Sequence, residues 1–188
     1  MADTIRIGFT EDMLKVLSSM KGKTLKSFEC VAEEKTGIAK NRVFANIRIN
    51  LGRSAVELYN RLIDIHFEDE SVEEYSAFGC EAKRMNEEFV ASANGEHVSF
   101  VRNERISEVL LVRDDITGSD YHEVCDRAVV IRTDNCVYTL SRHHFWDDSI
   151  YISSSDSIDG IPSPSEVCEQ YEGDDGFRVS VNRTILFL

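Results

Sequence analysis

The chain has 188 residues, 42% apolar and 29% charged, which excludes a collagen-like, low-complexity or wholly disordered polypeptide. A chain of this length buries roughly 70% of its unfolded surface, enough for a conventional core without disulfide staples. Its 21 Lys and Arg against 34 Asp and Glu give a net charge of −13, a balance that repels nucleic-acid phosphates and anionic membranes.

The charge is uneven: residues 1–60 carry a net +3 and residues 61–188 a net −16. No apolar run is long enough to span a membrane. The segment Met1-Ala2-Asp3-Thr4-Ile5-Arg6 lacks the basic and apolar regions of a signal peptide, so the expected location is cytoplasmic.

The first predicted element is a helix over 11–20. Thr10 can cap it, Glu11 and Asp12 favour its first turn, and Met13, Leu14, Leu17 and Met20 form one apolar stripe ended by Gly22. Residues 24–34 read as a strand and Lys35-Thr36-Gly37 as a turn. Val43, Ala45, Ile47, Ile49 and Leu51 then alternate with Phe44, Asn46, Arg48 and Asn50, the period of a half-buried strand. Residues 24–51 are therefore predicted as a hairpin.

Residues 54–67 fit either a helix from Ser54 or two short strands, and their strand-rich surroundings favour strands. Glu68 to Glu74 reads as an exposed acidic loop. Further strands are expected at 75–83, 97–102, 106–113, 126–133, 136–142, 149–153 and 177–187. A turn is expected at 133–135 and another at 173–176. Ser163 with Pro164 begins a short helix over 164–171.

This pattern predicts an α+β fold: mainly antiparallel β-sheet in a meander, with an N-terminal helix and a short C-terminal helix. Residues 1–188 read as a single domain, with 1–70 a candidate subdomain.

No motif dictates a chemistry. Gly22-Lys23-Thr24 resembles the end of a phosphate-binding loop, but Leu17 stands where that loop needs glycine. Ser155, Ser157, Asp159, Gly160 and Glu166 have calcium-loop spacing, yet a polar helix-capping turn explains them equally. Five cysteines, at 30, 80, 125, 136 and 168, form an odd set without CxxC and read as free thiols. His122, Cys125, His143 and His144 could meet as a metal site or as a Cys–His nucleophile pair with Asp147 or Asp148 as orienter. Asp147, Asp148 and Glu123 could hold magnesium. Each has a bland alternative as loop or core residues, and no cofactor or metal is expected.

The acidic groups carry the preferred reading. Glu68, Asp69, Glu70, Glu73 and Glu74, then Asp114, Asp115 and Asp120, then Glu169, Glu172, Asp174 and Asp175 could converge on one face. Such a face would suit the basic groove of a nuclease or another nucleic-acid-processing enzyme. Trp146, the only tryptophan, would add an apolar anchor.

The expected function is therefore a non-enzymatic acidic binding or inhibitor protein with a basic protein partner and no direct contact to nucleic acid or membrane. Its partner-binding residues would be Glu68, Asp69, Glu70, Glu73, Glu74, Asp114, Asp115, Trp146, Asp174 and Asp175. At the level of composition only, the chain resembles small acidic inhibitor and immunity proteins and phage-encoded inhibitors of bacterial defence nucleases. The alternatives are a small enzyme or metal-binding protein using His122, Cys125, His143 and His144, and a homo-oligomer burying Thr184–Leu188. A homodimer is thus left open.

Overall fold

The computed structural model describes residues 4–32, 42–67, 70–87, 89, 96–172 and 177–188. In chain order the elements are β1 (Thr4–Ile7), α1 (Glu11–Ser18), β2 (Thr24–Ala32), β3 (Arg42–Asn50), β4 (Ser54–His66), β5 (Val72–Arg84) and β6 (Glu96–Thr117). They continue with β7 (His122–Thr133), β8 (Val137–Ser141), β9 (Ser149–Ser155), α2 (Pro164–Tyr171) and β10 (Ser180–Phe187). The fold is mostly antiparallel β-sheet with two helices. The turns expected at 35–37 and 173–176 lie outside the described residues.

The strands do not form a simple meander. β2 pairs β3, β3 pairs β9, β9 pairs β8, β8 pairs β7, β7 pairs β6 and β6 returns to β2, every pair antiparallel. The hydrogen bonding therefore closes into a six-stranded ring, which removes most free edges. Outside it, β1 lies parallel to β7, β10 flanks β6, and the β4–β5 hairpin pairs with the second half of β3. Closure needs contacts between distant segments, so local periodicity does not reveal it.

All six ring strands feed one core. Phe28, Ile47, Ile49, Leu111, Val129, Ile131, Leu140 and Ile150 share a buried cluster, joined by Leu17 and Met20 from α1 and the segment after it. The alternate residues Leu110, Val112, Ala128 and Val130 form a second layer, covered by Ile158 and Ile161. β6 and β7 are thus buried on both faces.

Double burial explains why residues 54–67 look ambiguous in sequence. Ala55, Val56, Glu57 and Leu58 are all buried, so the alternation is erased; the segment is one strand. Likewise 97–102 and 106–113 are a single 22-residue strand. The apparent break is a register shift against β2, with Asn103 at a positive φ, as bulged strands often show. The acidic run ends inside β5, so Glu73 and Glu74 are strand residues and not loop residues.

Both helices form where capping chemistry puts them. Thr10 accepts from the Met13 N–H. Ser163 and Glu166 make a reciprocal capping box, with Pro164 in the first turn. No helix among the described residues is long and apolar enough to cross a membrane.

Candidate functional site

The charged residues divide into a buried network and exposed groups. Asp114 and Asp115 are adjacent on β6, and strand alternation sends them to opposite faces. Asp114 is fully buried, where it accepts from Arg127 Nε at 3.0 Å and from Arg183 Nε and Nη2 at 2.7 and 2.8 Å. The expectation that Asp114 faces a partner is corrected by this placement: its charge is spent on two guanidinium groups inside the protein. Asp115 is half-buried and bonded to His122 Nε2 and to the Thr117 hydroxyl.

The network continues along β7. Glu123, fully buried, accepts from the Tyr121 and Tyr171 hydroxyls at 2.6 and 2.7 Å and from Arg142 at 3.5 Å. Asp126 accepts from the Phe9 N–H and from Arg113. Arg142 donates to the Ser76 hydroxyl and carbonyl and to the Asp126 carbonyl. These bonds tie β5, α2, β10 and the segment after β8 to the ring wall. Burial pushes the Tyr121 and Tyr171 hydroxyls well above the usual phenol range, so both stay protonated donors to Glu123.

Gly8 has no room for a Cβ, because the Asp126 carboxylate occupies that space. Asn60 marks a second junction. β3 gives its edge to β9 over residues 42–44 and to β4 from residue 46 onward. Buried there, Asn60 donates to the Asp147 and Ser149 carbonyls and bridges the gap where β4 and β9 part.

The residues sequence reading assigned to a metal or thiol site do not converge. His122 bonds Thr4 and Asp115. Cys125 is fully buried, and burial pushes its thiol up to about 12, which leaves it protonated and unreactive near neutral pH. His143 stacks on Tyr151 at 3.7 Å and donates from Nε2 to the Gly160 carbonyl. His144 stacks on Trp146. Glu123 is enclosed, and Asp147 accepts from the Ser149 N–H and the Tyr151 hydroxyl. Among the described residues no group of three or more His, Cys, Asp or Glu is placed to hold a metal ion. The calcium-spaced residues instead make a polar turn and the cap of α2.

Two surfaces remain. One is the outer part of the β4–β5 hairpin, where Arg61 to Asp64, Glu70 and Val72 to Glu74 are exposed. Asp64 lies directly across from Glu74, and Ile65 across from Glu73. Leu62, Ile63 and Val72 expose apolar side chains among these charges. Glu68, Asp69, Asp174 and Asp175 lie outside the described residues.

The other surface is a groove of about 610 Å³ between α2, the 159–162 turn and the segment after β8. His143, His144, Trp146, Asp159, Glu166, Glu169 and Gln170 line it. It contains the predicted Trp146, 51% exposed. Sequence reading missed Asp159, Glu166 and Gln170 as its companions, because nothing local links a turn, a helix and a post-strand segment. Leu186 of β10 and Leu188 after it pack on the core, while Ile185 and Phe187 of β10 face outward.

Replacing Asp114 by asparagine leaves two arginines facing a neutral group, one of them fully buried. Removing one partner of such a set is strongly destabilising. Asp114→Asn should lose about 3–5 kcal/mol in urea unfolding; a loss under about 1 kcal/mol contradicts the assignment.

Burial holds the His143 imidazole below its ordinary value, against the opposing bond to Gly160. The folded state therefore favours the neutral ring. The stability this contributes is complete above about pH 6.5 and is lost as pH falls through the lowered value. The stability gap between the wild type and His143→Gln should shrink from about pH 7 to about pH 5. A gap that stays constant in urea melts at both pH values refutes this.

No family model, curated protein or solved structure matches the chain.

Proposed function

We propose that this chain is a non-enzymatic binding protein. Its acidic surface occupies the basic, nucleic-acid-binding face of a partner such as a nuclease or another defence enzyme. The observation that carries the reading is the exposed β4–β5 arm, where Asp64 and Glu74 are directly opposed. Like charges facing each other across a strand pair are destabilising, and a cationic partner would relieve that repulsion.

Glu70 and Glu73 add further exposed charge; Leu62 and Val72 expose apolar surface on the face of Asp64 and Glu74, and Ile63 on the face of Glu73. Charge of this kind speeds encounter with a basic surface, while apolar side chains slow release. The net charge of −13 works in the same direction. The buried, protonated thiol of Cys125 gives the thiol-nucleophile alternative no support.

The test uses the tagged full chain to capture proteins from its host's lysate, beside a variant carrying Glu70→Gln, Glu73→Gln and Glu74→Gln. The expected captured protein binds nucleic acid. It should be released as salt rises from about 50 mM to about 500 mM, where screening shortens to a few ångströms, and duplex DNA should displace it. The triple variant should retain at most a tenth of the capture, roughly 1.4 kcal/mol or more of binding. Capture that is indifferent to salt, to DNA and to the three substitutions refutes the reading.

A further inference from the structure

The groove beside α2 is chemically one-sided. Asp159, Glu166 and Glu169 contribute three carboxylates to its lining, and among the described residues no lysine or arginine lines it. Two arginines that reach backbone beside the groove are already committed. Arg127 donates to Asp114 and to the His143 carbonyl, and Arg183 donates to Asp114 and to the Pro162 carbonyl. Glu166 is fixed by its capping bond to the Ser163 N–H, which holds its carboxyl below the ordinary value and keeps it charged.

Trp146 stands in the same groove as a prepared plate. Its indole stacks against His144 with centroids 4.7 Å apart and meets the Phe145 ring edge-on at 4.7 Å. Half of its surface stays open. Elsewhere the chain covers aromatic rings with its own arginines: Arg61 lies over Tyr59 at 4.2 Å and Arg48 over Phe89 at 4.9 Å. Among the described residues no cation lies over Trp146.

Two residues of the groove lining also carry enclosed polar atoms. His144 Nδ1 and Gln170 Oε1 are buried without a partner among the described residues. Buried polar atoms of this kind normally find one.

We propose that this groove is an arginine-binding site: it receives the guanidinium group of an arginine carried on an extended segment of a basic partner protein. The proposal rests on the binding-protein reading above for the source of that arginine, but its site is separate from the β4–β5 arm. A guanidinium is flat, so it can pack on the exposed part of the indole while its edge donates to Glu169 and Asp159. An ammonium offers a point charge and cannot do both equally well. Phosphates and other anions face three carboxylates and, among the described residues, no lysine or arginine, and are repelled. The volume admits one long side chain with its flanking backbone.

The single tryptophan makes the site its own reporter. The full-length protein is titrated with a blocked tripeptide bearing a central arginine, and Trp146 emission is followed. A saturable change is expected. The tripeptides with citrulline or with lysine at that position should bind at least about five times more weakly. Glu169→Gln, at an exposed helix position, should weaken binding about threefold, the size of one exposed charge pair. Trp146→Ala, followed by calorimetry, should weaken it about tenfold.

Circular dichroism establishes that Trp146→Ala is folded, and Glu169→Gln gives the independent reading if it is not. No saturable change, equal binding of the citrulline or lysine peptide, or indifference to Glu169→Gln overturns the proposal. Partner capture that survives Trp146→Ala but fails in the β4–β5 triple variant overturns the arginine site and leaves the binding-protein reading intact. Tripeptide binding with no captured partner overturns that reading and leaves the site.

Discussion

Three buried carboxylates organise this molecule. Asp114, Glu123 and Asp126 sit on β6 and β7, on the wall of the closed ring, and each is met by guanidinium or hydroxyl donors from other elements. Taking such charges out of water costs several kcal/mol per ion. They persist because nearly every lone pair is matched: Asp114 has two arginines, Glu123 two tyrosines and an arginine, Asp126 an arginine and a backbone N–H. An arrangement of this kind adds little net stability compared with well-packed apolar residues. What it supplies is position. Arg183 fixes β10, Tyr171 fixes α2, and Arg142 fixes both the segment after β8 and β5 at Ser76.

Both candidate surfaces depend on that anchoring. The groove exists because α2 and the 143–146 segment lie side by side, held by the Gln170 bond to the His143 carbonyl and by Tyr171 on Glu123. The arm is reached by a chain of contacts from Glu73 to the Tyr75 hydroxyl, to the Tyr121 hydroxyl, to Glu123. Tyr75 gives its proton to Glu73 and Tyr121 its proton to Glu123, so the two hydroxyls, 3.2 Å apart, meet as a packing contact. The aromatic rings Tyr75, Phe145 and Tyr171 pack along the same line, giving it an apolar sheath that excludes water and strengthens each bond.

The elements that local chemistry controls were readable from the sequence. Thr10 and the Ser163-Pro164 pair announced both helices, and the alternation through Ile47 and Ile49 announced β3. Where two faces are buried, as at Ala55–Leu58, alternation disappears and the sequence could not distinguish helix from strand. β1 went unseen because four residues carry too little pattern. Ring closure and the β2–β6 and β6–β10 pairings are long-range and leave no local mark. The site was read in part. Trp146, with His143 and His144 beside it, was visible as an aromatic and histidine cluster, and Glu169 as one acid among many. Asp114 misled because charge was read without face: its neighbour Asp115 is partly accessible, and one step along a strand reverses orientation. The arginines opposite it, Arg127 and Arg183, had a signal that went unused, since a charged residue inside an otherwise apolar strand implies a buried counter-charge.

The Glu123 cluster seats α2 and the 142–146 segment on a ring that is stable without it. Native-state hydrogen exchange on Glu123→Gln against the wild type tests this directly, because it resolves local from global opening. Amides in α2 and at 143–146 should exchange faster, with Val129 to Ile131 and Tyr138 to Leu140 still protected relative to them. Uniform acceleration throughout, or unchanged exchange in α2, would contradict it.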